Sequence, residues 1–237
     1  WTLMGLFVPY ARTDQKGLFR PGPIVDSGLV FNAPLWHPDL SVSPFLTKDA
    51  TKHSCTVTGA TWGPTGRTFN GVNYYITTPN AAVLNITGEL ACGGWINPAA
   101  SGSSIYRTIF AKRTANLANY ELFLNNNIGV NQGKLSWFSD VITESTYIPV
   151  VGTPIYVLAT VTGATNLIIY VNGVSVYSAS ITALFTNIGP FRIGENPDAP
   201  GTQNFSGSIG EILVYNRALT AGEIMHNYLA TKWRYGL

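Results

Sequence analysis

Short apolar runs and polar turn residues alternate along most of the chain, and the clearest example is TNLIIYVNGVSVYS. Two runs rich in β-branched and aromatic residues, 167–171 and 174–177, are separated only by Asn172 and Gly173. A two-residue type I′ turn needs a positive φ at both central positions, and Asn-Gly tolerates that conformation best. The pattern therefore predicts a β-hairpin with its turn at Asn172-Gly173.

Runs of this kind recur from residue 24 to residue 215, with turn residues in the gaps between them. Besides the hairpin, the predicted strands lie within residues 24–35, 55–60, 66–76, 84–96, 105–112, 120–124, 134–139, 155–161, 191–194 and 209–215. Many short strands with a turn signal in each gap are typical of a sandwich or jelly roll. We therefore predict an all-β fold, a two-sheet antiparallel β-sandwich.

One short C-terminal helix is also predicted. Thr220 is a favourable N-cap, and Glu223 stands three residues later, which is the spacing of a capping box. Leu219 and Ile224 occupy the two positions of a hydrophobic staple around the same cap. The helix is expected to begin after Thr220 and to end near Gly236.

Residues 1–23 differ from the rest of the chain and are predicted to form an extended N-terminal arm, followed by one sandwich domain at 24–237. Ordering each residue costs about 1–2 kcal/mol in backbone entropy, whereas burying a large apolar side chain gains about 1.5–3 kcal/mol. Over the 23 residues of the arm this cost exceeds the gain from its six large apolar side chains. The arm therefore needs added hydrogen bonds or a second surface to stay ordered. We expect it to dock on a neighbouring subunit; docking on its own domain is the alternative. Its apolar residues are Leu3, Leu6, Phe7, Val8, Leu18 and Phe19.

The chain carries little charge. Charged residues make up 11% of the sequence, against a usual share of about 25%, and the net charge is +2. No cluster of Lys and Arg stands out, so the sequence predicts no nucleic-acid binding. No apolar run approaches the ~20 residues of a membrane-spanning helix. Sparse charge is also consistent with a surface covered by a partner or by another copy of the chain.

The two cysteines, Cys55 and Cys92, both lie in predicted strands. They either form one disulfide, which would suit an oxidising compartment, or remain two buried free thiols. Their spacing does not fit a zinc site.

Four motifs, in this order, resemble the laminin-G-like or concanavalin A-like jelly-roll domains: TFNGVNYYI, LNITGELACGGWINP, IIYVNGVSV and FSGSIGEILVYNRALTAGEI. The resemblance covers about residues 28–230, and it departs from the family at Asn70, where Asp is more frequent. It implies the jelly-roll fold, an extracellular, cell-surface or virion location, and a non-catalytic recognition module that binds glycan or mediates surface adhesion. A structural subunit or decoration protein of a virion or other extracellular assembly is the alternative.

A glycan-cleaving enzyme is the third and lesser alternative. The hydrolase branch of this family carries Glu-x-Asp-x-x-Glu on one strand, and retaining glycosidases need two carboxylates about 5 Å apart. Glu211 has no acid two or five residues later, and Glu121 and Glu144 are equally isolated. We therefore predict no catalytic residue and no enzymatic activity, and we expect Glu211 and Arg217 to pair or to cap the link from the final strand to the helix.

Candidate binding residues are aromatic, because flat rings stack on sugars. The candidates in or beside predicted loops are Trp36, Trp62, Tyr74, Tyr75 and Trp137, whereas Trp95 and Trp233 are expected in the core. Hard cations bind clustered loop oxygens. The loop with Glu195, Asn196 and Asp198 is therefore the candidate Ca²⁺ site, with an ordinary polar loop as the alternative.

Overall fold

The computed structural model describes residues 12–13, 19–20, 22–99, 105–114, 117–126 and 133–237. Within these residues the strands are β1 (Arg12–Thr13), β2 (Phe19–Arg20), β3 (Leu29–Ala33), β4 (Phe45–Leu46), β5 (Ser54–Thr58), β6 (Thr61–Gly63), β7 (Gly66–Asn70), β8 (Tyr75–Thr78), β9 (Leu90–Pro98), β10 (Tyr106–Thr114), β11 (Leu117–Asn125), β12 (Lys134–Phe138), β13 (Ile142–Glu144), β14 (Ile155–Thr162), β15 (Asn166–Val171), β16 (Val174–Ser180), β17 (Phe191–Ile193) and β18 (Ser206–Tyr215). The helices are α1 (Ala221–Thr231) and the 3₁₀ turns Pro38–Leu40, Ala82–Leu84 and Lys232–Tyr235.

Two antiparallel sheets form the sandwich. The first sheet has the order β13-β12-β11-β10-β17-β8-β5-β4. The second sheet has the order β16-β15-β14-β9-β18-β7-β6, and β3 pairs with the C-terminal half of β18 beyond the end of β7. A separate two-stranded pair joins β1 to β2. The predicted all-β sandwich with one short C-terminal helix is therefore confirmed.

The predicted hairpin is confirmed as well. Asn172 has φ 50° and Gly173 has φ 82°, the signs that a type I′ turn requires. Asn172 also ties the turn to β14, because its Oδ1 accepts from the Tyr156 N–H at 2.9 Å. A Cβ at Gly173 would lie 2.7 Å from the Met225 sulfur, so the turn packs directly against α1.

Two apolar clusters stabilise the molecule. The larger one lies between the two sheets and includes Phe31, Phe110 and Ile212. The smaller one lies on the outer face of the second sheet, beneath α1, and includes Trp95 and Leu213. Successive side chains of a strand point to opposite faces. The second sheet is therefore buried on both faces where α1 covers it.

The helix α1 begins as predicted. The Thr220 hydroxyl accepts from the Glu223 N–H at 3.3 Å, and the Glu223 carboxylate accepts from the Thr220 N–H at 2.9 Å, which completes the capping box. Leu219 and Ile224 are both buried in the cluster beneath the helix. The α-helix ends at Thr231 and continues as a 3₁₀ turn, which Gly236 ends with φ 76°.

The sequence pattern missed three short strands, β4, β6 and β13, which lie at sheet edges. Strands of two or three residues are too short to show a period of two. The first predicted strand, 24–35, is also shorter in the structure, because only Leu29–Ala33 pairs with β18.

Cys55 and Cys92 are free and buried, so they do not form the disulfide that was one of the two alternatives. Burial raises the pKa of Cys55 to about 12 and raises that of Cys92 well above its ordinary value. Most of the predicted arm 1–23 lies outside the described residues. In the part of the chain that the structure describes, no helix has the length and apolar character needed to span a membrane.

Candidate functional site

A cavity lies over the outer face of the second sheet, beside the C-terminal end of α1. Its volume is about 880 Å³. Its walls come from residues 22–24, from β3 and the loop after it, from Lys48, from β18, and from the end of α1 with the C-terminal 3₁₀ turn. We call it the Glu211 cavity, after the carboxyl group on β18 that lines it.

Glu211 is placed on the outer face by the register of β18. A bulge at Gly210 precedes it, and Glu211 pairs opposite Trp95 of β9. The side chain is 3% exposed, and its Oε2 has no hydrogen-bond partner among the described residues. Burial raises the pKa of Glu211 to about 7, and the positive charge of Arg234 opposes part of that rise. The carboxyl group therefore changes charge near neutral pH.

Asn32 lines the cavity from β3, where it pairs opposite Leu213 of β18. The backbone of Asn32 is fixed on both sides, since its N–H donates to Asp49 Oδ2 at 3.0 Å and its carbonyl accepts from the Lys48 N–H at 2.8 Å. The Asn32 Oδ1 atom is buried and has no partner in the described part of the chain.

The loop after β3 brings an indole ring to the cavity. The His37 N–H donates to the Pro34 carbonyl at 2.8 Å, and the His37 ring nitrogen caps the 3₁₀ turn Pro38–Leu40 by accepting from the Asp39 N–H. This local structure places Trp36 and His37 on the cavity wall. The Trp36 Nε1 atom is buried and unpartnered among the described residues.

The C-terminal 3₁₀ turn adds Trp233 and Arg234 to the cavity wall. The guanidinium carbon of Arg234 lies 4.1 Å from the ring centroid of Trp36 and 4.7 Å from that of Trp233. Trp233 is 44% exposed, and its Nε1 donates to the Ala230 carbonyl at 2.9 Å. The Arg234 guanidinium therefore lies over both indole rings on the cavity wall.

Trp95 fixes that turn to the sheet. Its Nε1 donates to Thr231 Oγ1 at 2.7 Å, and its ring stacks on Tyr235 with the centroids 4.1 Å apart. Gly210 permits this approach, because a Cβ there would overlap the Tyr235 hydroxyl. The position of Trp233 and Arg234 thus depends on contacts with β9 and β18.

The arrangement combines flat aromatic faces with a buried carboxyl, an amide and a guanidinium. Such a combination binds polar ring-shaped molecules, since the faces of the ring pack on the indoles and its polar edges take hydrogen bonds. Glu211 is the only carboxyl group among the described residues that line the cavity.

The structure separates the predicted aromatic residues. Trp36 lines the cavity, and Trp62 lies beside it, since its Nε1 donates to the His37 carbonyl at 3.3 Å. Tyr74 packs against the main core, whereas Tyr75 faces Arg192 on the first sheet at 4.5 Å. Trp137 was wrongly expected in or beside a loop: it lies within β12, is 0% exposed, and cannot meet a ligand at the surface.

Several cavity residues were missed or misread. Trp233 was expected in the core but is exposed. Glu211 and Arg217 do not pair with each other: Arg217 pairs with Glu223 in the first turn of α1 at 2.6 Å and donates to the Ser27 carbonyl. Arg217 therefore holds the link from the final strand to the helix, which was the other alternative, whereas Glu211 does not take part in it. A lone acid within an apolar strand was the only sequence signal for Glu211, and nothing in the sequence marked Asn32 or Arg234.

The predicted calcium loop holds its three residues together, but its carboxylates are engaged by arginines. Arg192 pairs with Glu195, and Arg113 pairs with Asp198 at 2.9 Å. Asn196 Oδ1 accepts from the Asp198 N–H at 2.9 Å. Among the described residues, no group of three or more His, Cys, Asp or Glu side chains is placed to hold a metal ion. The geometry gives the calcium prediction no support.

The outer face of the first sheet carries a second buried carboxyl group. Glu121 of β11 accepts from Thr108 Oγ1 at 2.8 Å and from Arg113 Nη1 at 2.7 Å. The Arg113 guanidinium also lies 4.7 Å from the ring centroid of Phe138. This carboxyl group is surrounded by partners, unlike that of Glu211.

Comparison with known proteins gives one family. The family model described as the concanavalin A-like lectin/glucanases superfamily matches residues 70–225. None of the curated proteins matches the sequence.

Several solved structures share the fold. Domain 4 of AbnA, a GH43 extracellular arabinanase from Geobacillus stearothermophilus in complex with arabinotriose, has a TM-score of 0.63 and 21% identity, over 87% of this chain and 100% of that one. Trypanosoma rangeli sialidase has a TM-score of 0.69 and 16% identity, over 96% of this chain and 36% of that one. The receptor-binding domain of botulinum neurotoxin C/D mosaic serotype has a TM-score of 0.68 and 12% identity, over 87% of this chain and 52% of that one. The chain thus spans about a third of the sialidase.

Proposed function

Because the chain belongs to the concanavalin A-like lectin/glucanase superfamily, we propose that it is a non-catalytic carbohydrate-binding module. The Glu211 cavity is its binding site in this proposal. The observation that carries it is that two indole rings, Trp36 and Trp233, line the same cavity as Glu211 and Asn32. The side chains of Glu211 and Asn32 each have a buried oxygen that lacks a hydrogen-bond partner among the described residues.

The chemistry of the cavity suits a sugar. A sugar ring has an apolar face of C–H groups that packs on an aromatic ring, and its edge carries hydroxyls that both donate and accept. Buried polar atoms without partners cost free energy. A bound sugar would supply partners to Glu211 and Asn32, whose atoms line the same cavity.

A binding role is favoured over hydrolysis. Glycosidases of the retaining and inverting types need two carboxyl groups that flank the scissile bond, and the described lining of this cavity has one. Domain 4 of the arabinanase, which the alignment covers completely, is a separate domain of a glycan-cleaving enzyme and is described with arabinotriose bound. That enzyme is called extracellular, and we propose the same location for this chain.

Isothermal titration with a panel of oligosaccharides tests the proposal, beginning with arabinotriose and sialyllactose. We expect at least one glycan to bind, and Trp233→Ala to weaken that binding by about tenfold or more, because an aromatic face is lost. The matched control is Tyr75→Ala, which removes an aromatic ring beside Arg192 on the other sheet.

Two outcomes contradict this assignment. If Tyr75→Ala abolishes binding and Trp233→Ala leaves it unchanged, the site lies on the first sheet instead. If no glycan in the panel binds, or if a glycan is cleaved during the titration and Glu211→Gln stops the cleavage, the non-catalytic carbohydrate-binding role is wrong.

A further inference from the structure

The cations of the Glu211 cavity already have partners. Lys48 Nζ lies 2.5 Å from Asp39 Oδ2. The Arg234 guanidinium lies against the indole faces of Trp36 and Trp233. Several buried atoms of the lining have no hydrogen-bond partner among the described residues, including Asn32 Oδ1 and Trp36 Nε1, and the one that belongs to an acid is Glu211 Oε2. The polar groups that a ligand would complete therefore include one carboxyl, that of Glu211.

We propose that Glu211 is the specificity-determining residue of the cavity, selecting a neutral sugar that donates hydroxyl hydrogen bonds to it and disfavouring sugars that carry a carboxylate. This inference rests on the proposed carbohydrate-binding function. It names the class of ligand that the cavity accepts and the residue that makes the selection.

The energetic argument has two parts. A hydroxyl that donates to an ionised carboxylate makes a charge-assisted hydrogen bond, which is stronger than one between neutral groups. A ligand carboxylate brought beside buried Glu211 would instead place two like charges in a poorly solvated site, which weakens binding. Arg234 offsets part of the Glu211 charge, but its guanidinium carbon already lies 4.1 Å from the ring centroid of Trp36 and 4.7 Å from that of Trp233.

The same geometry makes binding depend on pH. The groups that interact electrostatically with Glu211 are Arg234, Tyr156, Tyr215 and Tyr235. Burial raises the pKa of all three tyrosines, so they remain neutral when Glu211 ionises. His37 and Lys48 also line the cavity, so the assignment to Glu211 requires a variant at Glu211 itself.

The test compares matched neutral and acidic sugars. Galactotriose and trigalacturonate differ in the carboxylate at C6, and lactose and sialyllactose differ in a sialic acid. Each sugar, together with arabinotriose, is titrated against the wild type, Glu211→Gln and Glu89→Gln on either side of neutral pH, at about 5.5 and about 8.5. Glu89 is exposed and does not line the cavity, so its variant has the same change of charge elsewhere.

We expect the wild type to bind a neutral sugar about tenfold more tightly at the higher pH, and to bind the matched acidic sugar at least about tenfold more weakly there. Glu211→Gln should lose both the pH dependence and the discrimination between the two sugars, whereas Glu89→Gln should keep both. If Glu211→Gln keeps the pH dependence and the discrimination of the wild type, this inference is wrong, whereas the proposed carbohydrate-binding function still stands. Failure of the wild type to bind any of these sugars overturns the proposed function, and this inference with it.

Discussion

A buried glutamate lies on the outer face of each sheet, Glu121 on the first and Glu211 on the second, and the two have opposite surroundings. Glu121 on the first sheet is 2% exposed and accepts hydrogen bonds from Thr108 and Arg113. Glu211 on the second sheet is 3% exposed, and its Oε2 has no partner among the described residues. The two carboxyl groups are therefore buried to a similar extent, but both oxygens of Glu121 have hydrogen-bond partners and Glu211 Oε2 has none among the described residues.

This difference separates a structural group from a candidate binding group. Burial raises the pKa of both carboxyls, but Arg113 opposes the rise at Glu121 through both its charge and its hydrogen bond. At Glu211 the opposing contribution comes from the charge of Arg234 alone. A buried acid that lacks a partner and lines a cavity carries a cost that a ligand could remove. Glu121 on the first sheet already has its partners, so it does not carry this cost.

Removing the partner of Glu121 should have the largest effect. Arg113→Met leaves Glu121 and Asp198 without their guanidinium, and breaking a buried ion pair from one side costs about 3–5 kcal/mol. Chemical denaturation measures the loss in the free energy of unfolding. The control is Arg217→Met, which breaks the more exposed pair with Glu223 and should cost about 1 kcal/mol or less. Equal losses for the two variants would contradict a structural role for the Glu121 pair.

Glu211→Gln, unlike Arg113→Met, should increase the free energy of unfolding at high pH. The pKa of Glu211 is raised from 4.5 to about 7 in the folded protein, so the folded state binds more protons than the unfolded state between these values. The Glu211 contribution to the free energy of unfolding therefore falls as pH rises through this window, by up to about 3 kcal/mol. Glu211→Gln should remove that loss and should be more stable than the wild type above about pH 7.

Chemical denaturation across this pH range measures both effects. Glu89→Gln, at an exposed site, should keep the wild-type pH dependence. If Glu211→Gln is less stable than the wild type at every pH, then Glu211 has a partner that stabilises its ionised form, and the contrast with Glu121 is wrong.

A change in the capping box of α1 should separate stability from binding. The helix end forms part of the cavity wall, whereas its beginning at Thr220 does not line the cavity. Thr220→Ala removes the hydroxyl that accepts from the Glu223 N–H and should cost about 1 kcal/mol. Glycan affinity should stay unchanged in the folded protein. A large loss of affinity in the same variant would mean that the cavity depends on global stability rather than on its own residues.

Features set by neighbouring residues could be predicted from the sequence. The turn at Asn172-Gly173 and the capping box of Thr220 and Glu223 both depend on residues within one turn of each other, and both are confirmed. The sandwich followed from the number of short alternating runs, although strands of two or three residues such as β4 left no pattern.

The site could not be predicted to the same extent, because its environment is built from distant segments. Trp137 was expected in or beside a loop, but β12 has partners on both sides and the Trp137 side chain lies in the core. Trp233 follows the apolar face of α1 in sequence, yet the 3₁₀ turn directs it to the surface. The surroundings of Glu211 depend on Asn32 and Arg234, far apart in the chain, which the fold alone brings to one cavity.

The most direct test of the central claim follows the indole N–H signals by NMR while a bound glycan is titrated. The chain has six tryptophans, and single Trp→Phe variants assign their signals. We predict that the signals of Trp36 and Trp233 shift in a saturable way, whereas those of Trp62 and Trp137, which do not line the cavity, stay in place. Saturable binding that leaves Trp36 and Trp233 unshifted would contradict the assignment of the Glu211 cavity as the binding site.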